Sequence, residues 1–171
     1  MDTGELITRW TIRVALLLYF LGTAARSFPH ARMNAKPMNT AKALWSLGAV
    51  CYLAHVAAAF HVYHHWSHAE AFEHIATETE RMIHTRFGHG IYFNHAFGIV
   101  WIVDTIRWLR ETPGSSSRRW MTATTHAFLL FIVFNGLVVF KDGGLRWFGI
   151  GGTVFVLAAW TLGWRLRQRR P

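Results

Sequence analysis

Residues 43–63 read ALWSLGAVCYLAHVAAAFHVY, and this stretch decides the structural class of the chain. It holds no Asp, Glu, Lys or Arg over 21 consecutive residues. An α-helix of about 20 apolar residues crosses the roughly 30 Å of hydrocarbon in a bilayer. The stretch therefore predicts a transmembrane helix.

Four further apolar stretches predict an all-α fold, a polytopic membrane helix bundle of about five transmembrane helices. The spans are expected at residues 10–25, 43–63, 91–108, 122–140 and 147–164 of a single integral-membrane domain, 1–171. Six tryptophans near the span ends predict an aromatic belt at the membrane interfaces. They are Trp10, Trp45, Trp108, Trp120, Trp147 and Trp164.

Basic residues indicate the orientation, because cytoplasmic connectors carry an excess of Lys and Arg. Twelve of the 18 basic residues lie in the first connector, the third connector and the C-terminal tail. They are Arg26, Arg32, Lys36, Lys42, Arg107, Arg110, Arg118, Arg119, Arg165, Arg167, Arg169 and Arg170. We expect the N-terminus outside and the C-terminus in the cytoplasm, in a bacterial inner (plasma) membrane. The net charge of +9 is explained by topology, so no nucleic-acid partner is expected.

The segment from Trp66 to Met82 is rich in Ala and Glu and contains no Gly or Pro. Residues of this kind favour helix. We therefore expect the second helix to extend beyond the membrane as one continuous helix and to close near Gly88 and Gly90.

Nine of the 11 histidines lie between His55 and His95, on the side expected to be extracytoplasmic. On a continuous helix, i, i+3 and i, i+4 spacing would place four of them on one face, and imidazoles so spaced can bind one metal ion. The third span would add a fifth histidine at a similar depth. The predicted metal ligands, for Fe, Cu or Zn, are His61, His64, His65, His68 and His95. The alternative is a solvated or pH-sensing histidine patch.

Haem b is a second candidate cofactor, because it needs only two imidazoles from facing helices. The predicted pairs are His61 with His95, or His55 with His95. For His55 the alternative is a hydrogen bond to a neighbouring helix.

The sequence His61-Val-Tyr-His64-His65 resembles the HxxHH box of membrane fatty-acid desaturases and hydroxylases. That resemblance implies a di-iron centre held by several such boxes. It covers five residues, and the other boxes are absent, so membership of the family is not assigned.

A second polar layer is expected near the cytoplasmic side. Asp104 is the only acid well inside a predicted span, and His126 enters the next span at a similar depth. An ionisable residue in a bilayer seeks a partner. We predict a His126–Asp104 pair as a catalytic, proton-accessible site for quinone chemistry or proton relay. The alternative is simple neutralisation of Asp104 by Arg107.

These patterns predict a membrane electron-transfer protein, or the membrane anchor of a redox complex. The partners would be the lipid bilayer, quinone, and other membrane or extracytoplasmic redox subunits. Two alternatives stay open: a membrane-embedded metal-dependent hydrolase or oxygenase, and a non-enzymatic scaffold that responds to pH or copper. Whether the chain is an enzyme is left open.

Overall fold

The computed structural model describes residues 2–28, 35–111 and 119–169. Within these ranges the chain forms six α-helices and no strand, which confirms the all-α prediction. The helices are α1 (Thr3–Ser27), α2 (Ala35–Tyr63), α3 (His68–Ile83), α4 (Gly90–Arg110), α5 (Arg119–Phe134) and α6 (Gly143–Gln168). A π-helical turn, Asn135–Val139, continues α5.

Four helical segments are long and apolar enough to cross a bilayer. They are Thr3–Ser27, Met38–Tyr63, Trp120–Val139 and Gly143–Gln168. They contain the first, second and fifth predicted spans and all but the last residue of the fourth. This finding supports an integral membrane protein. Three of the basic residues used for the orientation, Arg32, Arg118 and Arg170, lie outside the described residues.

The third predicted span corresponds to α4, which is not among these four segments. Its polar residues, such as Asp104, lower its mean hydropathy, yet Asp104 is on the buried face of the helix. Four exposed residues at helical spacing form an apolar outward face. They are Ile99, Val103, Ile106 and Leu109.

An aromatic cluster joins α1, α2 and α4. The rings of Tyr19, Trp45 and Trp101 are fully buried, and their centroids lie 5.3–5.7 Å apart. Such aromatic pairs add stabilisation beyond the area that they bury. Trp45 and Trp108 are therefore core residues, and their placement in an interfacial belt is wrong; the other four tryptophans of the expected belt are exposed.

Glycine lets α6 approach α1 closely. At Gly163 a Cβ atom would overlap the backbone carbonyl oxygen of Ser27, and at Gly152 it would overlap the ring of Phe20. Small residues at helix interfaces are typical of membrane bundles, because they let the backbones come together. The C-terminal ends of α1 and α6 therefore lie side by side.

The predicted continuous extension of the second helix is wrong, because α2 ends at Tyr63 and α3 begins at His68. Between them His65 and Trp66 adopt positive φ angles of 46° and 62°. Ser67 then caps α3 by accepting a hydrogen bond from the backbone N–H of Glu70 at 3.2 Å. Ser67-x-x-Glu70 is the residue pattern of a capping box, and the cap starts a new helix.

Candidate functional site

The helix break separates the histidines that were expected to share one face. His61 remains on α2, His64 and His65 lie in the turn, and His68 is the first residue of α3. The predicted single-helix stripe is therefore not formed. His61 and His65 are exposed, and neither lines any of the three cavities described below.

His55 lies in α2, where it is partly buried against α1. Its Nδ1 atom donates a hydrogen bond to the backbone carbonyl oxygen of Thr8 at 2.9 Å. A carbonyl oxygen can only accept, so the proton of the neutral imidazole is on Nδ1 and Nε2 carries a lone pair. This is the contact with a neighbouring helix that was considered for His55, and it also orients the ring.

Three histidines line one cavity of about 270 Å³, here called the histidine cavity. His55 comes from α2, His64 from the turn after it, and His95 from α4. The rest of the wall is mainly apolar, with residues such as Phe60 and Ile91. The predicted His55 and His95 pair is therefore brought to one cavity, whereas His61 is not.

A larger cavity of about 580 Å³ adjoins the histidine cavity and shares part of its wall. His55, His64 and Tyr52 line both cavities, and His74 lines only the larger one. Tyr52 donates a hydrogen bond to the backbone carbonyl oxygen of Asn94 at 2.9 Å, which ties α2 to α4 beside the histidines.

Two histidine pairs stand close together around these cavities. The ring centroids of His64 and His74 lie 5.3 Å apart, and those of His68 and His95 lie 5.8 Å apart. Burial and then the nearby His74 imidazole lower the pKa of His64 below its usual value, more than Glu70 raises it. His64 is therefore biased towards its neutral form, the form that can bind a metal ion.

In the parts of the chain that the structure describes, no three His, Cys, Asp or Glu side chains come together as a group that could hold a metal ion. The five histidines predicted as metal ligands are thus distributed between two cavity-lining positions, His64 and His95, and three exposed ones. A cofactor that takes two protein ligands suits the arrangement better than a metal ion that takes three or four.

Asp104 lies at the opposite end of the bundle, and its residue is 2% exposed. It forms a short ion pair with Arg26 of α1 and a second one with Arg107, at 3.2 Å. The Arg26 guanidinium also lies 4.3 Å from the ring centroid of Trp108. Neutralisation by Arg107 is therefore observed, and sequence reasoning missed the closer partner, Arg26.

His126 is 5% exposed and packs 5.1 Å from Trp45, centroid to centroid. Neither of its ring nitrogens has a hydrogen-bond partner within the described ranges. No hydrogen bond therefore joins His126 to Asp104 within these ranges, and their role as a proton-accessible pair stays a prediction. His126 instead lines a cavity of about 340 Å³ together with Arg26 and Arg167, here called the arginine cavity.

No protein-family model matches the chain, and comparisons with curated proteins and with solved structures give no match either.

Proposed function

We propose that this chain is a membrane electron-transfer protein that binds haem b in the histidine cavity, where His55 and His95 would hold it. Haem b would supply a one-electron redox centre within the bundle. The chain's own residues would hold it, orient it and exclude water from it.

The hydrogen bond from His55 to Thr8 is the single observation that carries this proposal. Histidines that bind a metal almost always donate their other ring N–H to a carbonyl, carboxylate or water, which fixes the tautomer and the ring orientation. His55 already has this arrangement, with Nδ1 donating to the carbonyl oxygen at 2.9 Å. Nε2 is then the nitrogen available to iron.

His95 is the preferred second ligand because it comes from a different helix and lines the same cavity. If both histidines held the haem, the chain would leave it no ready place for a substrate. This favours electron transfer over oxygen or hydrolytic chemistry. His64 lines the same cavity and is the competing choice.

The space beside His55 also suits a cofactor. Sites for small molecules and cofactors are apolar clefts of about 300–1,000 Å³ with a few polar groups. The larger cavity, at about 580 Å³, lies in that range, and the histidine cavity, at about 270 Å³, falls just below it, so a haem would need the space of both.

The proposed topology has five spans, with α4 as the third. The exposed row on α4, from Ile99 to Leu109, is apolar, as a lipid-facing surface must be. With the C-terminus in the cytoplasm of a bacterial inner membrane, the histidine cavity would lie towards the extracytoplasmic side. Electrons would then pass between a membrane donor, such as quinone or a partner subunit, and an extracytoplasmic acceptor.

The test is haem stoichiometry in purified histidine variants. His55→Ala and His95→Ala each remove one imidazole that would hold the haem and should abolish most haem binding. His84→Asn is the matched control, because His84 is exposed and Asn tolerates its positive φ of 57°. The control should retain the haem content of the unmutated chain.

Three outcomes would count against the proposal. Absence of haem after gentle purification and after incubation with haemin would refute it. Stoichiometric Fe, Cu or Zn without haem would favour the metal-dependent hydrolase or oxygenase. Loss of haem with His64→Ala but not with His95→Ala would refute His95 as the second ligand.

A further inference from the structure

The arginine cavity lies between the C-terminal ends of α1 and α6 and the first turns of α5. Nine residues line it, and its volume is about 340 Å³. Arg26 and Ser27 close α1, and Arg167 is the penultimate residue of α6. Both helices are long and apolar enough to span a bilayer, which would place their ends at the level of the lipid headgroups.

Positive charge dominates this cavity. Arg26 and Arg167 line it, and Arg107 shares the Asp104 carboxylate with Arg26. The carboxylates paired with these arginines are Asp104 and, at 3.9 Å from Arg107, Glu111. This group of described residues thus holds three guanidinium groups and two carboxylates. The cavity therefore favours an anion over a neutral ligand.

Arg167 is held in place at the cavity wall. Its Nη2 atom donates to the backbone carbonyl oxygen of Ser27 at 2.6 Å, at the end of α1. A guanidinium carries five N–H donors in a planar fork that matches phosphate, and this contact uses one of the two Nη atoms. The hydrogen bond orients the fork and leaves further donors for a ligand.

His126 supplies an independent sign of a ligand. It lines the cavity, more than nine-tenths of the residue is buried, and neither ring nitrogen has a partner among the described residues. A buried polar group without a partner is costly, so such groups in folded proteins call for an explanation. An acceptor oxygen in the cavity would satisfy the imidazole N–H.

Two tryptophans also contribute to the wall, beside small and hydroxyl-bearing residues. Trp160 and Trp164 of α6 line the cavity, and Trp164 is largely exposed at the end of its helix. Tryptophan at this depth packs against the apolar part of a lipid and leaves its N–H among the headgroups. The cavity thus combines cationic and imidazole donors with an apolar wall.

From these observations we infer that the arginine cavity binds the phosphate group of an anionic phospholipid. Arg26 and Arg167 face the phosphate oxygens, His126 donates one further hydrogen bond, and the tryptophans contact the glycerol and upper acyl chain. This inference does not depend on haem binding at the other end of the bundle.

The test measures lipid binding to the detergent-purified full chain by native mass spectrometry and by the shift of the thermal unfolding midpoint. Phosphatidylglycerol is compared with phosphatidylcholine of the same acyl chains. We expect preferential binding of phosphatidylglycerol. Arg167→Gln should weaken it about tenfold, as expected for losing a charged hydrogen bond. Arg165→Gln is the matched control: it removes the same charge from the same helix outside the cavity, and binding should be unchanged.

His126→Leu provides the second variant. In detergent without lipid, its unfolding midpoint should equal or exceed that of the unmutated chain, because an unpartnered polar group has been removed. Added phosphatidylglycerol should then raise the midpoint less than it does for the unmutated chain. A lower midpoint in detergent alone would show that the imidazole has a structural partner and would overturn the inference.

Four further results would overturn it. The first is equal binding of the two lipids, and the second is an equal effect of Arg167→Gln and Arg165→Gln on that binding. The third is that millimolar inorganic phosphate displaces the lipid and binds in its place. The fourth is saturable binding of a quinone analogue by a chain that binds neither lipid. The third result would assign the cavity to a free anion, and the fourth to a quinone.

Discussion

Replacing Asp104 by Asn tests the ion pairs that connect α1 to α4. Asp104 is 2% exposed, and the side chain of Arg26 is 11% exposed. Removing the carboxylate charge leaves the Arg26 charge buried without compensation. Loss of one partner from a buried pair costs about 3–5 kcal/mol. We expect a loss of that size in the free energy of unfolding.

Arg107→Gln provides the matched comparison on the same carboxylate. The Arg107 side chain is 29% exposed, and its distance to Asp104 is 3.2 Å. Solvent screens such a pair, so the expected cost is about 0–1 kcal/mol. The large loss of stability should therefore come from breaking the Arg26–Asp104 pair, although Arg107 is closer to Asp104 in sequence.

The assay is denaturant unfolding of the purified variants in detergent, followed by circular dichroism. A double variant, Asp104→Leu with Arg26→Met, should recover most of the loss, because apolar residues of similar volume often replace a buried ion pair without cost. If Asp104→Asn costs no more than Arg107→Gln, or if the double variant is less stable than Asp104→Asn, the argument from burial is refuted.

Three further predictions concern packing, capping and pH. Gly163→Leu should lower the unfolding midpoint by forcing α6 away from Ser27, and cross-linking between the ends of α1 and α6 should fall with it. Ser67→Ala should destabilise α3 by about 1 kcal/mol, and Ser67→Asp should not, because Asp also caps helices; hydrogen exchange at the start of α3 measures the difference. Because the pKa of His64 is lowered in the folded chain, the unfolded chain binds more protons than the folded chain near pH 6.5. The contribution of His64 to stability is therefore complete above pH 6.5 and is lost as the pH falls below that value. His64→Gln should therefore flatten the acid side of a stability–pH profile, and His74→Gln should flatten it less.

The helices of the bundle could be predicted from the sequence because each depends on a local run of apolar residues. Among the helices predicted as spans, only α4 falls short in average hydropathy; its Asp104 and Thr105 are buried, and the apolar row from Ile99 to Leu109 faces outward. An average over the whole helix does not distinguish these two faces. The spacing of the apolar row, at i, i+4, i+7 and i+10, does distinguish the outward face from the buried face.

The break between α2 and α3 could have been predicted from Ser67 and Glu70, which have the spacing of a capping box. The richness in Ala and Glu of the residues after Trp66 favoured a continuous helix and concealed this signal. The error mattered for the site, because the proposed stripe of histidines required that helix to be continuous. His65 lies in the left-handed region instead.

Two long-range contacts could not be derived from spacing. Asp104 pairs with Arg26, which is 78 residues away in the chain, and His55 donates to Thr8, which is 47 residues away. Each depends on how α1 packs against the other helices, and a single sequence does not specify that packing. Local spacing favoured Arg107 as the partner of Asp104, which is correct but incomplete.

The most direct test of the proposed haem site is an absorbance spectrum of the purified full chain, recorded oxidised and then reduced. Two imidazole ligands make haem iron six-coordinate and low-spin, so we predict an intense Soret band and, on reduction, a sharp low-spin α band. Both should disappear in His55→Ala and persist in His84→Asn. An unmutated chain that gives no Soret band, even after incubation with haemin, would contradict the proposal that His55 and His95 hold haem b.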